Sequence, residues 1–326
     1  MKKSIPGLVA TLCALVCALT VGSALAQGRY PDKPVKVLVG YAPGGWPDAI
    51  ARVVGQKLAE IWGQPVVVDN RPGANGSLAA DLLAKAAPDG YTLLLADSTV
   101  LAVNPLIYLK LPYSAKDLLP VVLAATAPMF LAVHKSLPVN SLQELIAMAK
   151  AQPGKLNYGS SGIGSPHHLS MESMISALGL DITHVPYKGS GQSVPALVGG
   201  QVPMLFAAYP SLASHVKAGT VKLIASNAIK RATFAPEVPT IAELAIPNYN
   251  FAVSGGIFAP AGTPREVVNK IAADISRVVR MPDVMEKFTG MGTESAGGSP
   301  EDYAALLKGD VENWGRAVKA AGMKPE

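Results

Sequence analysis

Val35 to Gly40 is an almost unbroken apolar run, and beyond it Ile50, Val53, Val54, Leu58 and Ile61 recur at helical spacing until Gly63. The run predicts a buried strand and the recurrence an amphipathic helix. Between them, Tyr41-Ala42-Pro43-Gly44-Gly45 turns the chain. Pro47 suits the first helical position, and Asp48 brings a negative charge to the positive helix end. The unit repeats, with a strand at Pro65 to Val68, a helix at Leu78 to Ala87, and a strand at Tyr91 to Ala96 that ends in Asp97-Ser98-Thr99. Such alternation predicts a parallel sheet flanked by helices. Its ligand crevice belongs beyond the carboxyl ends of the strands, where Tyr41 to Trp46 and Asp97 to Thr99 both fall.

A second start follows. Ser141-Leu142-Gln143-Glu144 has the form of a capping box, Leu156 to Gly159 reads as a strand, and Ser160 to Ser165 is a glycine and serine turn before a helix from about Pro166. Ile182 to Pro186, Val202 to Ala207 and Val221 to Ala225 supply further strands, with helices at Ser193 to Val198 and Ser211 to Lys217. The chain closes with long helices at Arg265 to Arg280 and Pro300 to Ala321, expected to wrap the outside. Ser299 caps the last one, with Pro300, Glu301 and Asp302 in its first turn. Two α/β lobes result, residues 27–128 with 250–326 and residues 129–249, joined by two extended crossings.

The leading segment adds a compartment. Lys2 and Lys3 precede an apolar run from Ile5 to Val21, and Ser23-Ala24-Leu25-Ala26 supplies small residues before Gln27. This is the pattern of a secretory signal peptide cleaved after Ala26, which places the mature chain in the periplasm. Cys13 and Cys17 both lie inside that segment, so the mature chain holds neither disulfides nor thiolate ligands. Neither cysteine follows a small residue, which argues against lipid anchoring. The remaining 300 residues suit two domains, and with Lys2 and Lys3 removed 26 basic residues face 23 acidic ones without a basic run. Nucleic-acid binding finds no support in that balance.

Each lobe offers a strand-to-helix glycine turn whose backbone N–H groups and positive helix end form an anion site without lysine or arginine. Tyr41 to Asp48 is the first and Ser160 to His167 the second, where Ser160, Ser161 and Ser165 add hydroxyl donors. Taken singly, such glycines mark a tight turn in any α/β protein; their pairing is what suggests a ligand cleft. Tyr187-Lys188-Gly189-Ser190-Gly191-Gln192 is a third turn that would join it. Trp46, set inside the first turn, is better placed to stack on a ligand than to fill a core, and Tyr209 is a second aromatic candidate.

Enzyme readings fare poorly. Gly40 to Gly45 is not G-x-G-x-x-G, and Ile163 stands where a nucleophile elbow around Ser161 would need glycine. His167-His168 lacks metal-site spacing. No catalytic residue, metal or cofactor is expected.

Several stretches carry a resemblance: Tyr30-Pro31-Asp32-Lys33-Pro34, Pro43-Gly44-Gly45 with Asp48, Asp69-Asn70-Arg71-Pro72-Gly73-Ala74, Asp89-Gly90-Tyr91-Thr92-Leu93, Pro153-Gly154-Lys155-Leu156-Asn157-Tyr158, His184-Val185-Pro186-Tyr187-Lys188-Gly189 and Ala259-Pro260-Ala261-Gly262-Thr263-Pro264. Through them the whole mature chain resembles the periplasmic solute-binding proteins of tripartite tricarboxylate transporters, the Bug family. The resemblance implies a two-lobe periplasmic-binding-protein fold of the Venus-flytrap, type II-like kind with two crossover strands. It also implies a monomer, an organic carboxylate ligand and a membrane transporter as partner. Carried over, the ligand-binding residues are Tyr41, Pro43, Gly44, Gly45, Trp46, Asp48, Ser98, Thr99, Ser160, Ser161, Ser165, His167, Tyr187, Gly189 and Tyr209. A membrane histidine kinase that senses the loaded protein is the alternative partner.

Three departures from the family pattern bear on the ligand. Trp46 and Pro47 replace a small residue and threonine. Ala207 and Ala208 stand where an acidic or amide pair is common, and Ser254-Gly255-Gly256 replaces a stretch that often holds tryptophan. Polar groups are lost and an indole is gained, which predicts a carboxylate with an apolar or aromatic body. Acidic amino acids fit less well, with Asp48 the remaining partner for an ammonium.

Overall fold

The computed structural model describes residues 30–41 and 43–325, so the expected signal peptide and its cleavage point lie outside the described residues. The first part alternates as its pattern predicts: β1 (Val35–Val39), α1 (Trp46–Trp62), β2 (Val66–Asn70), α2 (Ser77–Ala84) and β3 (Thr92–Asp97). Then follow β4 (Leu118–Ala127), β5 (Met129–His134), α3 (Leu142–Ala151), β6 (Leu156–Ser160), α4 (Pro166–Leu178), β7 (Ile182–Pro186), α5 (Ser190–Val198), β8 (Met204–Ala208), α6 (Tyr209–Lys217) and β9 (Val221–Ser226). The chain ends with β10 (Val253–Pro260), α7 (Arg265–Val278), α8 (Pro282–Gly290), β11 (Glu294–Ser295) and α9 (Pro300–Ala320).

Two separate sheets form, in the orders β11-β4-β10-β3-β1-β2 and β7-β6-β8-β5-β9. Each is mixed, not wholly parallel as the alternation predicted. β1 runs parallel to β2 and β3, but β10 is antiparallel to both β3 and β4. In the second sheet β6 is parallel to β7 and β8, whereas β5 is antiparallel to β8 and β9. β10 and β5, the strands each sheet receives from a crossing, are the ones that run against the parallel strands, and the short β11 also opposes β4. β4 passes into β5 through Pro128 alone, and β10 brings the chain back.

Asn227 fastens these crossings. Its Nδ2 donates to Phe251 O at 2.7 Å and its Oδ1 accepts from Met129 N–H at 2.8 Å. Its own backbone N–H donates to Met129 O, and its carbonyl accepts from Phe251 N–H.

Each sheet is covered on both faces. In the first, Val37, Val39, Ile50, Val54, Ile271 and Ile275 fill one side and Leu38, Leu83, Leu94, Phe258 and Tyr303 the other. In the second, Tyr158, Met174, Phe206 and Leu145 oppose Phe130, Leu205, Leu197 and Leu212.

α9 departs from its expected role as an outer wrap. Tyr303 and Leu307 join the core of the first sheet, while Trp314, Ala317 and Val318 join that of the second. Trp314, 1% exposed, is thus buried against a lobe that its sequence position does not suggest. Ser299 caps α9 as predicted and, beyond that expectation, forms a full box with Asp302. The box at Ser141 is only half made, because Glu144 reaches back to Asn140 N–H instead of that of Ser141.

Candidate functional site

The first turn lies between β1 and α1. Gly40 is required where β1 ends, since a Cβ there would stand 2.6 Å from the Gly76 Cα. Gly44 takes φ +82, a left-handed conformation natural to glycine, and its N–H donates to Asp48 Oδ2 at 2.9 Å. The same carboxylate accepts from Arg52 Nε at 2.9 Å and from Asn70 Nδ2 at 2.9 Å. Burial alone would raise the Asp48 carboxyl; the donors from Arg52, Gly44 and Asn70 outweigh it and hold the group below its ordinary value. Asp48 is therefore a buried, saturated brace for the turn, which corrects its expected role as a partner for a ligand ammonium. Arg52 is likewise engaged with Asp48 and Asn70, so the turn presents backbone N–H groups at a helix start.

Behind this turn, Tyr41 hydroxyl donates to Asp97 Oδ2 at 2.6 Å. Asp97 also accepts from the backbone N–H of Thr99 at 3.0 Å and from its hydroxyl. Ser98 is buried and donates its N–H to Ser254 O. Asp97 and Ser98 thus tie the end of β3 to β10, and burial raises the Asp97 carboxyl above its ordinary value. Pro43 and Gly44 sit exposed at the rim.

Trp46 opens α1. Its Nε1–H donates to Thr293 Oγ1 at 2.7 Å, and its ring lies over Gly255. Two of the departures read from the sequence are therefore one change in space: the indole occupies room that glycine leaves at 255. Across the cleft, Tyr209 and Pro210 press on Gly292, beside Thr293, and Tyr209 packs with Phe130 and Phe234. Glu294 accepts from Thr233 N–H at 2.6 Å, so the lobes touch directly along this edge.

The second turn is built from within the other sheet. Ser160 is fully buried, its Oγ 2.7 Å from His184 Nε2, and it accepts from Gly162 N–H. Ser165 caps α4 by accepting from His168 N–H and donates to Gly162 O. These two hydroxyls brace the turn, whereas Ser161 Oγ pairs with His167 Nδ1 at 2.6 Å nearer the open side. Tyr187 and Gly189 are brought to the same turn by N–H donation to Ser160 O and Ser161 O.

Beneath lies a stack in which Tyr158, His184 and His168 lie face to face, with ring centroids 4.8 and 4.0 Å apart. Gly164 N–H donates to His168 Nδ1, which requires that nitrogen unprotonated. Burial lowers His168 to about 4, helped by His184, and lowers His167 to about 4 as well. Sequence reading missed Asn70, Asp97, His168, His184 and Thr293 as braces. Asn70, Asp97, His168 and His184 stood within stretches already singled out, though not as braces, and Thr293 carried no signal.

A two-lobe α/β body with a glycine turn at the carboxyl ends of each sheet defines a solute-binding protein. The chain belongs to the family described as "Tripartite tricarboxylate transporter family receptor", whose model matches residues 50–323. It is 39% identical over 311 residues to a protein from the tcbD-tcbE intergenic region of Pseudomonas sp. strain P51, covering 94% of this chain and 92% of that one. It is 33% identical over 319 residues to protein BugT of Bordetella pertussis, covering 97% and 98%. Among solved structures it is similar to R. palustris Rpa4515 with adipate, at 35% identity and a TM-score of 0.75, covering 91% of this chain and all of that one. No helix among the described residues is long and apolar enough to cross a membrane.

Proposed function

We propose that this chain, exported to the periplasm and cleaved after Ala26, captures a small organic carboxylate between its lobes and delivers it to the membrane subunits of a tripartite tricarboxylate transporter. The observation that carries the reading is the pair of braced strand-to-helix turns, one from each sheet. Both offer backbone N–H groups at a helix start, and the second adds the Ser161 hydroxyl, a combination suited to carboxylates. The moving bodies are residues 27–128 with 250–326 apart from the end of α9, and residues 129–249 with that end, from Trp314, packed on them. The relative Rpa4515, solved with adipate, supports a ligand with acidic ends and an apolar body.

The acid docks on the Gly44 to Trp46 turn, and closure brings Ser161, His167 and Tyr187 over its other end. No bond in the ligand is made or broken. A thermal-shift series with adipate, citrate, benzoate and phthalate tests this. A bound acid at a hundred times its dissociation constant stabilises the folded state by about 2.7 kcal/mol. No stabilisation by any of the four would overturn the carboxylate reading. Delivery is tested by uptake of the acid so identified: deleting the gene abolishes uptake and restoring it recovers uptake, whereas unchanged uptake would overturn the transport role.

A further inference from the structure

Trp46 is fixed by two residues more than 200 positions away in the chain. Thr293, 1% exposed, accepts the indole N–H at 2.7 Å. A Cβ at Gly255 would come within 2.6 Å of Trp46 Cη2 and 2.7 Å of Cζ3. The backbone of Gly255 is not in the left-handed region, so glycine is needed there for space and not for conformation. Gly255 also pairs with Asp97 across β10 and β3, which sets the indole beside the Tyr41–Asp97 bond under the first turn. On its other side, Gly292 lies against Tyr209 and Pro210 of the opposite lobe. The indole thus stands between the anion turn and the place where the lobes meet, with its polar edge satisfied and its freedom to rotate removed.

We propose that Gly255 and Thr293 are specificity-determining positions, which hold Trp46 as a fixed flat wall of the cleft and so select carboxylates with a planar, ring-bearing body over open-chain acids. This inference rests on the reading of the cleft as a carboxylate site. A ring stacked on an immobile indole gains from dispersion and quadrupole complementarity, and the order is already present before binding. An open chain gains less, since it keeps little face-to-face contact and must itself be ordered.

The test uses the mature chain, its Thr293→Val and Gly255→Ala variants, and the Trp46→Phe version of each. Thr293→Val keeps the side-chain shape and removes the hydroxyl, which accepts from the indole and donates to Met291 O at 3.3 Å; Gly255→Ala drives the indole from its place. Calorimetric titration with benzoate, phthalate and adipate gives the ratio of aromatic to aliphatic affinity. The fluorescence difference between each protein and its Trp46→Phe counterpart, without ligand, reports the indole environment. Both variants are expected to shift that difference spectrum and to lower the ratio of aromatic to aliphatic affinity about tenfold. An unchanged spectrum would overturn the positioning role. A shifted spectrum with an unchanged ratio would overturn the specificity claim alone. Failure of the unsubstituted chain to bind any of the three acids would remove the carboxylate reading, and the specificity claim with it.

Discussion

The Tyr41 hydroxyl donates to the Asp97 carboxylate at 2.6 Å and so joins the ends of β1 and β3 directly under the first turn. Asp97 is buried, and while Thr99 donates to its Oδ1, Oδ2 takes its donor from Tyr41. Tyr41→Phe is expected to destabilise the fold by about 1–3 kcal/mol, the cost of leaving a buried acceptor short of a donor. Combining it with Asp97→Asn should cost less than the sum of the two single changes, as measured by urea denaturation in a double-mutant cycle.

Asp48 braces the first turn through Gly44 N–H, Arg52 and Asn70. Asp48→Ala is expected to weaken carboxylate binding at least tenfold, because Gly44 N–H, Arg52 and Asn70 lose their common acceptor. Asp48→Asn keeps the shape and one acceptor oxygen and should lie between. Titration calorimetry at fixed salt separates the three proteins, and equal affinities would show that the turn holds without its brace.

His168 makes the second turn sensitive to acid. Burial lowers it from 6.5 to about 4, so between those values the unfolded chain binds a proton that the folded chain does not. Stability therefore falls as pH drops through that window, by on the order of 3 kcal/mol at its lower end. Protonation of Nδ1 also removes the acceptor for Gly164 N–H. Thermal midpoints from pH 7 to pH 4 should fall more steeply for the native chain than for His168→Asn.

Asp310 shows the opposite sign. Burial raises its carboxyl, with Asp97 adding to the effect, and Ser254 Oγ donates to it at 2.7 Å. The folded state holds this proton more tightly than the unfolded state, so stability is lost as pH rises from the ordinary carboxyl value through the raised one. Asp310→Asn is expected to raise the thermal midpoint by a few degrees at pH 7 and to change little near pH 3. A lower midpoint at pH 7 would show that the charge is matched by a partner that asparagine cannot serve.

Local signals were legible because they are local. Ser299 with Asp302, Pro166 after Ser165 and the apolar run of β1 each act within a few residues, so spacing alone was enough. The two glycine turns and the two-lobe division followed from the same periodicity. What could not be read are contacts made by folding: Trp46 with Thr293, Asp97 with Tyr41, and Asn227 with both crossings. Asp48 looked available because a carboxylate in a helix's first turn is ordinarily exposed, and nothing in its neighbourhood named Asn70 as a partner. α9 was misplaced because its apolar stripe changes the surface it meets halfway along, from Leu307 in one core to Trp314 in the other.

That change of surface makes α9 a mechanical element. Its two ends are sealed in different cores, so any turning of one lobe on the other must twist or bend the stretch between them. Gly309 lies within this stretch and Gly315 directly follows Trp314, and an interior glycine costs roughly 1 kcal/mol of helix stability relative to alanine. Nothing lies within 4 Å of a Cβ added at Gly309, so the site has room for a methyl group and carries glycine without steric need. The helix is accordingly softest in the stretch that any turning of one lobe on the other would have to bend, like a torsion spring cut thin at its middle. Gly309→Ala would stiffen that spring without altering any packed contact, which makes the ease of closure adjustable at a position remote from every ligand-facing group.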